Sequence, residues 1–317
     1  MPATGHRLSL STMPNPRALR IYLDQIPLRR AEKGDFNLIN RIRNAFESRE
    51  YSVELCLNSD EARLQSAAWG GYSLFHMDDP FHARALTMRR AYFYPFWRIE
   101  NSAKRWEWEI ATTPFEPERI DAEAAEKFCR FWRKRLFNLT APPANRDGFV
   151  YIPLQGRLLD HRSFQMLSPV KMIETVLQHD PARDVIVGFH PGETYSQAEL
   201  DAVQAIADRT PRLTISSEPM ESHLTRCDYV ATENSSVALA GCFFHKPAVL
   251  FAQIDFHHIS ANAIQLGAQE ALRAVPDHAP DYDKYLFWFL KLTTINGGSE
   301  DAERQIIDMV RRKGWDL

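Results

Sequence analysis

The chain has 317 residues, enough for two domains at roughly 100–200 residues each. Hydrophobic residues make up 44% and charged residues 25% of it, which is typical of a folded globular protein and not of a disordered one. The 38 lysines and arginines nearly balance the 41 aspartates and glutamates, and no long basic run is present. This balance argues against a dedicated nucleic-acid binder, so we expect no nucleic-acid partner.

The cysteines and the apolar segments bear on location. Four cysteines, none in a C-x-x-C pair, lie in apolar or helical contexts, and we predict buried, reduced thiols. Residues 1–17 contain three prolines and no apolar segment of the signal-peptide type, which predicts a disordered lead-in. No stretch reaches the ~18 apolar residues that span a bilayer. We therefore expect a cytoplasmic protein, with any membrane association peripheral at the inner face of the membrane.

The first half of the chain alternates between strand and helix patterns, which predicts a parallel sheet. The predicted strands are 19–23, 51–57 and 72–77. The predicted helices are 35–49 and 60–68. Residues 91–110 are rich in aromatic side chains, including Trp97, Trp106 and Trp108. These tryptophans either pack in a core or form a platform for sugar rings, and the sequence leaves both interpretations open.

A helix is predicted over 121–138. It is followed by LTAPPANRDG, whose two prolines and glycine give the strongest boundary signal in the chain. We therefore predict an α/β domain over 1–145 and a second α/β domain over 146–280. The remaining segment, 281–317, is predicted to form helices that pack back on the body.

The second domain has the clearest pattern. Strands are predicted at 149–154, 184–189, 212–215, 228–232 and 247–251, with a helix between each pair of successive strands. In the first of these helices Pro169 predicts a kink or a late start. Right-handed crossovers between parallel strands then give a doubly wound, Rossmann-like sheet.

Ligands of such sheets bind beyond the carboxyl ends of the strands, where this chain places polar residues. Asn234, Ser235 and Ser236 lie where a strand ends and a helix begins, so free N–H groups there either bind a phosphate or are capped by these side chains. His190 and Pro191 directly follow another strand. This pair is either a structural turn or presents the imidazole to the same phosphate.

Two carboxylates and two arginines are candidates for the chemistry. Asp160 lies in the polar loop after the first strand of the domain, where it is either a base or nucleophile at a sugar centre or an aspartate that caps a helix or pairs with arginine. Glu233 is the alternative carboxylate. Arg157 and Arg162 are suited to clamp a carboxylate.

The sequence gives little support for a metal site or for a kinase, dehydrogenase or lipase motif. Asp255, His257 and His258 lack a further ligand for a metal set, and Asp78-Asp79 before Pro80 is either a metal-phosphate motif or a turn. We therefore expect no metal and no cofactor. The chain has no Gly-rich phosphate loop and no G-x-S-x-G elbow, which disfavours kinase, dehydrogenase and lipase functions.

Taken in order, these motifs resemble those of the capsule polysaccharide Kdo transferases. The matching residues are Pro153-Leu154-Gln155, Asp160, Ser163, His190-Pro191, Cys227-Asp228, Glu233 to Ser236, Gly241 and Lys246-Pro247. The HP and Ser-Ser pairs are also similar to those of bacterial sialyltransferases with two Rossmann-like domains (the GT-B fold). The resemblance covers about residues 149–260.

The resemblance implies a GT-B glycosyltransferase that transfers an acidic, Kdo-like sugar from a CMP-sugar donor to a glycan or glycolipid acceptor. It implies that His190 and the 234–236 loop hold the phosphate, that Asp160 is catalytic, that Gln155 lies near the sugar and that the N-terminal domain binds the acceptor. The loop from Gln155 to Asp160 departs from the family pattern, which allows an acidic sugar other than Kdo. A non-catalytic capsule-assembly protein and a nucleotide-sugar epimerase or hydrolase remain as alternatives.

Overall fold

The computed structural model describes residues 17–317, so most of the predicted lead-in lies outside the described residues. The chain divides into two compact units. Of the described residues, unit 1 comprises 17–108 together with Thr294–Leu317, and unit 2 comprises Glu109–Thr293. No helix within residues 17–317 is long and apolar enough to cross a membrane.

The described part of the chain contains twelve β-strands and thirteen α-helices. The strands are β1 (Ala18–Leu23), β2 (Ser52–Leu57), β3 (Tyr72–His76), β4 (Ala85–Arg90), β5 (Phe96–Glu100), β6 (Phe149–Pro153), β7 (Asp184–Gly188), β8 (Leu213–Ser216), β9 (Tyr229–Thr232), β10 (Ala248–Leu250), β11 (Ala261–Asn262) and β12 (Ile295–Asn296). The α-helices are α1 (Gln25–Glu32), α2 (Asn37–Glu47), α3 (Asp60–Ala68), α4 (Glu109–Thr112), α5 (Ala122–Phe137), α6 (Pro169–His179), α7 (Gln197–Arg209), α8 (Met220–Arg226), α9 (Ser236–Phe243), α10 (Ala263–Leu266), α11 (Ala268–Ala274), α12 (Tyr282–Leu286) and α13 (Ala302–Arg312).

Unit 1 is built on a six-stranded sheet with the order β12-β5-β4-β3-β1-β2. Strands β1 to β4 run parallel, whereas β5 and β12 add an antiparallel edge that the sequence pattern did not predict. Helix α2 buries Leu38, Ile39, Ile42 and Phe46, and the buried Phe36 precedes its first residue. Helix α13 packs on α2, and Arg41 pairs with Glu303 at 2.8 Å.

The aromatic segment of unit 1 belongs to its core. Trp97 on β5 is 7% exposed and Trp108 is 1% exposed, and the Trp108 indole N–H donates to the Ser102 carbonyl at 2.7 Å. Rings this deeply buried cannot present their faces to a sugar. Core packing is therefore the correct interpretation for these two tryptophans.

Unit 2 is built on a second six-stranded sheet with the order β11-β10-β9-β6-β7-β8, in which every paired strand is parallel. Counted within the unit this order is 3-2-1-4-5-6, the order of the Rossmann fold, so the predicted doubly wound sheet is confirmed. Helix α6 begins at Pro169 with Ser168 as its cap, which settles the predicted late start. Helix α7 begins with a capping box between Ser196 and Glu199.

The division into units differs from the predicted boundary at 145/146. Helix α5 packs against α12, and a buried ion pair joins them: Arg133 lies 2.9 Å from Asp283, and the Arg133 Nε donates to the Phe243 carbonyl at 2.7 Å. These contacts hold α5 in unit 2 although it precedes the proline-rich segment. The tail is divided as well, because α12 packs in unit 2 and α13 in unit 1.

Candidate functional site

The sheet order of unit 2 creates a crevice at its carboxyl edge. Strands β7 and β8 lie on one side of β6, and β9 and β10 lie on the other. The strand order therefore switches direction between β6 and β9. Helices connecting the two halves leave a gap at this switch point, which is where ligands of open α/β sheets bind. The loops predicted to converge at one edge, those after β6, β7, β8 and β9, do so because these strands are parallel.

A small cavity of about 10 Å³ lies in this crevice, with room for about one water molecule. It is lined by residues that follow β6 and β9 and by the start of α6, including Pro153, Leu154, Gln155, Arg162, Thr232 and Glu233. Three of the predicted site residues are thus brought together here, namely Gln155, Arg162 and Glu233.

Glu233 is the most unusual group of the crevice. It is only 4% exposed, and neither of its carboxylate oxygens has a hydrogen-bond partner within residues 17–317. Burial raises the pKa of Glu233 to about 9, because the low-dielectric surroundings disfavour the charged form and the charge of Arg162 offsets this only in part. The side chain is therefore a neutral carboxylic acid at neutral pH, and such an acid can donate a hydrogen bond.

Helix α9 begins at the edge of the same crevice. Ser235 is buried and caps the helix, its hydroxyl accepting from the Val237 N–H at 3.3 Å, as the N-cap interpretation expected. Ser236 is exposed at the first helical position. Asn234 is half-buried between Glu233 and the cap. The cap and an anion site are compatible, because only one of the free N–H groups is used by Ser235.

His190 lies on the other side of β6, at the tip of β7, and is exposed together with Pro191. The Gly192 N–H donates to the His190 Nδ1 at 3.1 Å, so the ring proton of the neutral imidazole is on Nε2. The Tyr195 hydroxyl accepts from the His190 backbone N–H at 2.9 Å, which fixes the turn. The tips of β7 and β9 are two strand spacings apart, roughly 10 Å, so one ligand can reach both.

Asp160 stands apart from the cavity. Its side chain is 51% exposed and accepts from the Arg157 Nε at 2.6 Å. Arg157 adopts a left-handed backbone with a φ of 66°, and its side chain is exposed like that of Asp160. The structure therefore places the two candidate carboxyls in opposite environments, with Asp160 in solvent and Glu233 buried.

Arg162 lies between these environments. It lines the cavity, and its guanidinium lies 4.8 Å from the centre of the Phe164 ring. Its backbone N–H donates to the Gln165 side-chain oxygen at 2.8 Å, and Gln165 forms a bridge with Ala252 beyond β10. The segment that carries Arg162 is thereby attached to the sheet, which gives the arginine a defined position beside the crevice.

Two further carboxylates, Glu199 and Glu193, shape the loop after β6. Glu199 of the capping box also accepts from the Leu158 N–H at 2.6 Å and so ties the loop after β6 to helix α7. Glu193 contacts the same loop, because a Cβ added at Gly156 would lie 2.5 Å from its Oε2. The capping box was the one sequence signal that pointed to Glu199.

Several motif residues lie at the opposite, amino edge of the sheet. Asp228 precedes β9 and pairs with Arg183 at 2.7 Å, while its other oxygen accepts from the Gly148 N–H at 2.9 Å. Lys246 precedes β10, is 2% exposed, and donates from its ammonium to the Asn145 carbonyl. Both residues stabilise the fold and are remote from the crevice.

The histidines considered for a metal site are bonded to the backbone. His257 and His258 stack at 4.4 Å, and their Nε2 atoms lie 3.0 Å from the carbonyls of Ala111 and Ile110. A carbonyl only accepts, so both Nε2 atoms carry a hydrogen and are occupied. Within residues 17–317 no three His, Cys, Asp or Glu residues are grouped so that they could hold a metal ion.

No protein-family model and no curated protein sequence matches this chain. Among solved structures, the Thermosulfurimonas dismutans KpsC beta Kdo 2,7 transferase is similar, with a TM-score of 0.57 and 14% sequence identity over 93% of this chain and 99% of that chain. The Thermosulfurimonas dismutans KpsC beta Kdo 2,4 transferase has a TM-score of 0.46 and 10% identity over 86% of this chain and 89% of that chain. The first likeness shows the fold, and the chain is a protein of two Rossmann-like α/β domains of the GT-B type.

Proposed function

We propose that this protein is a glycosyltransferase of capsule or surface polysaccharide synthesis. The donor is a CMP-linked acidic sugar of the Kdo kind, and the acceptor is a glycan or glycolipid at the cytoplasmic face of the membrane. The observation that carries the proposal is the crevice between β6 and β9, where a buried neutral acid, an arginine and a helix start converge. The fold it shares with a Kdo transferase supports the same assignment.

The phosphate of the donor would lie between the tips of β7 and β9. On one side the His190 Nε2–H is directed away from the turn and is a hydrogen-bond donor. On the other side the exposed Ser236 and the start of α9 add a hydroxyl and backbone N–H groups, in a field that favours an anion. A single phosphate held in this way needs no metal, so the proposal includes no cofactor.

The acidic sugar would lie toward the tip of β6. Arg157 and Arg162 present two guanidinium groups, which suit bidentate binding of the sugar carboxylate. Gln155 and the neutral Glu233 carboxylic acid would bind the remaining oxygens of the sugar. An ionised Glu233 would repel the carboxylate of the donor, whereas the protonated form can donate a hydrogen bond to it.

In the transfer step the bond between the anomeric carbon and the phosphate oxygen breaks, and CMP leaves with the bonding electrons. An acceptor hydroxyl oxygen forms the new bond to the anomeric carbon and loses its proton to a base. Donors at the phosphate site stabilise the negative charge that develops on CMP. Asp160 is the proposed carboxylate, either as that base or as a nucleophile that holds the sugar between two displacements.

The test is a transfer assay with CMP-Kdo and CMP-sialic acid in the wild type and in Asp160→Asn. We expect CMP release and glycan extension in the wild type and a loss of about 10³-fold or more in the variant, the size typical of a lost acid–base or nucleophilic group. Because Asp160 is exposed, the variant should keep its melting temperature and its nucleotide affinity. Retained turnover in Asp160→Asn contradicts this role. Donor consumption without any acceptor would instead identify a hydrolase or epimerase.

A further inference from the structure

The loop after β6, which carries Asp160, closes on itself in a tight turn. The Asp160 N–H donates to the Arg157 carbonyl at 3.2 Å, and the Arg157 Nε donates to the Asp160 carboxylate at 2.6 Å. Both side chains of this pair are exposed, at 65% and 51%. An exposed ion pair contributes little and is screened by salt, so this pair alone does not hold the Asp160 carboxylate at one place.

Leu158, at the centre of the turn, attaches the loop to two helices of unit 2. Its side chain is fully buried, and its carbonyl accepts at 3.2 Å from the N–H of Val170, in the first turn of α6. Its own N–H donates to the Glu199 Oε1 at 2.6 Å. The turn is therefore attached to α6 through the backbone and to α7 through a carboxylate side chain.

The two oxygens of the Glu199 carboxylate have different partners. Oε2 accepts from the Ser196 N–H and from the Ser196 hydroxyl, both at 2.8 Å, which closes the capping box of α7. Oε1 accepts from Leu158, which lies 41 residues earlier in the chain. Hydrogen bonds from the Ser196 backbone and side chain and from the Leu158 backbone hold the pKa of Glu199 below its ordinary value, so the carboxylate is charged and these bonds are charge-assisted. Capping uses one oxygen, and the bond to Leu158 is a separate role of the other.

The peptide group that Glu199 holds is the one between Arg157 and Leu158. Arg157 has a φ of 66°, in the left-handed region that disfavours a residue with a side chain, and such a conformation persists where the surroundings fix it. Because the Leu158 N–H belongs to this peptide group, its bond to Glu199 fixes the direction in which the chain leaves Arg157. Asp160 follows Leu158 by two residues, so the same bond bears on where the Asp160 carboxylate lies.

We propose that Glu199 is a positioning residue, which holds through the Leu158 N–H the turn that presents the Asp160 carboxylate to the donor sugar. The role of Asp160 in transfer rests on the proposed function. The attachment of its loop by Glu199 stands on the contacts alone. Glu199 acts through the loop and not on the substrate, because both of its oxygens are occupied by Leu158 and Ser196.

The kinetic test compares Glu199→Ala with Ser196→Ala in the transfer assay. Glu199→Ala releases the loop and opens the capping box, whereas Ser196→Ala removes the hydroxyl of the box and keeps the bond to Leu158. We expect kcat to fall about 10²-fold in Glu199→Ala, the loss typical of a reacting group displaced by about 1 Å, and to stay within about 2-fold of the wild type in Ser196→Ala. Both variants should bind CMP like the wild type, and their melting temperatures check that they fold. Equal kcat values in the two variants overturn the proposal.

A double variant tests whether Glu199 acts through Asp160. If it does, adding Glu199→Ala to Asp160→Asn should lower the residual kcat by no more than about 2-fold, because the group that Glu199 positions is already lost. A further loss of about 10²-fold in the double variant would show that Glu199 acts independently of Asp160, and the positioning role would be wrong.

Hydrogen exchange of the backbone amides tests the attachment without any substrate. We expect the Leu158 amide to exchange about 10-fold faster in Glu199→Ala than in the wild type, the factor for one lost hydrogen bond to a charged acceptor. The same amide should stay protected in Ser196→Ala. Unchanged exchange at Leu158 in Glu199→Ala overturns the proposal whatever the kinetics show. Faster exchange there, together with no transfer by the wild type, would support the attachment and contradict the proposed function alone.

Discussion

The two edges of the unit 2 sheet both bury carboxyl groups but treat them differently. At the amino edge, Asp180 and Asp228 share Arg183, at 3.1 and 2.7 Å, and the Tyr229 hydroxyl donates to Asp180 at 2.8 Å. At the carboxyl edge, Glu233 is equally buried and has no hydrogen-bond partner in the described structure. At the amino edge the charged groups are hydrogen-bonded to one another. At the carboxyl edge Glu233 has no such partner, so its hydrogen-bonding capacity is available to a ligand.

This difference separates residues that stabilise the fold from residues available to a ligand. A buried acid with full partners contributes to stability and has no lone pair left for a substrate. A buried acid without partners costs stability, and proteins keep such groups mostly where they serve binding or catalysis. The comparison therefore assigns Asp228 to the fold, although it belongs to the motif that first pointed to function, and assigns Glu233 to the site.

The largest expected effect is the pH dependence caused by Glu233. Its pKa of about 9 in the folded chain exceeds the unfolded value, so the stabilising contribution of the neutral acid is fully present below the unfolded pKa and is lost as pH rises toward 9. Glu233→Gln removes this loss. Relative to the wild type, the variant should gain up to about 4 kcal/mol of unfolding free energy between pH 5 and pH 8, at about 1.4 kcal/mol per pH unit.

Urea denaturation of both proteins at the two pH values measures this gain. Ser236→Ala, at the same edge but without a titratable group, is the control and should follow the wild-type pH dependence. If the unfolding free energies of the wild type and of Glu233→Gln change equally between the two pH values, Glu233 is charged in the folded protein. The two edges of the sheet would then not differ in how they treat a buried acid.

The next largest effect is expected at the amino edge. Arg183→Met leaves Asp180 and Asp228 without their shared cation, which should lower the unfolding free energy by about 3 kcal/mol, less than for a fully buried pair because Arg183 is 24% exposed. Denaturation at pH 7 measures the loss. Arg209→Met is the matched control, since its pair with Glu174 is exposed and should contribute less than about 1 kcal/mol. Similar losses in the two variants would mean that the network adds little.

A smaller effect is expected at Glu199, an acid at the carboxyl edge whose oxygens have hydrogen-bond partners. Ser196→Ala removes the cap of α7 and one partner of Glu199, which should cost about 1 kcal/mol of stability without changing nucleotide affinity. Ser196→Thr keeps a hydroxyl that can cap and should restore most of the loss. A lower nucleotide affinity in Ser196→Ala at unchanged stability would instead make Glu199 part of the binding site.

Much of the unit 2 fold could be predicted, because each strand and helix has its own local signal. The capping box at Ser196 and the short apolar strands before His190 and Asn234 each predict one element. Unit 1 was harder. Helix α1 buries only Leu28 and Ala31, too few residues for a visible stripe, and β4 is buried on both faces and shows no alternation.

The location of the site could be predicted from the sequence, but the burial or exposure of its individual side chains could not. Parallel strands guarantee that the loops after β6, β7 and β9 meet at one edge, whatever their side chains. Whether a carboxyl there is buried depends on packing that no local pattern encodes. Glu233 lies buried beside Arg162, on a segment that the bridge from Gln165 to Ala252 attaches to the sheet. Asp160 lies exposed in the turn that begins at Arg157.

Thermal stability measured with CMP, CDP, UDP and GDP shows whether the crevice between β6 and β9 binds the phosphate of a cytidine nucleotide. A ligand at 100 times its dissociation constant adds about 2.7 kcal/mol to the folded state. We predict a rise in melting temperature with CMP that is lost in His190→Ala and in Ser236→Ala but kept in Asp160→Asn. No rise with any nucleotide, or a rise that both substitutions leave intact, would mean that the crevice does not hold the nucleotide phosphate.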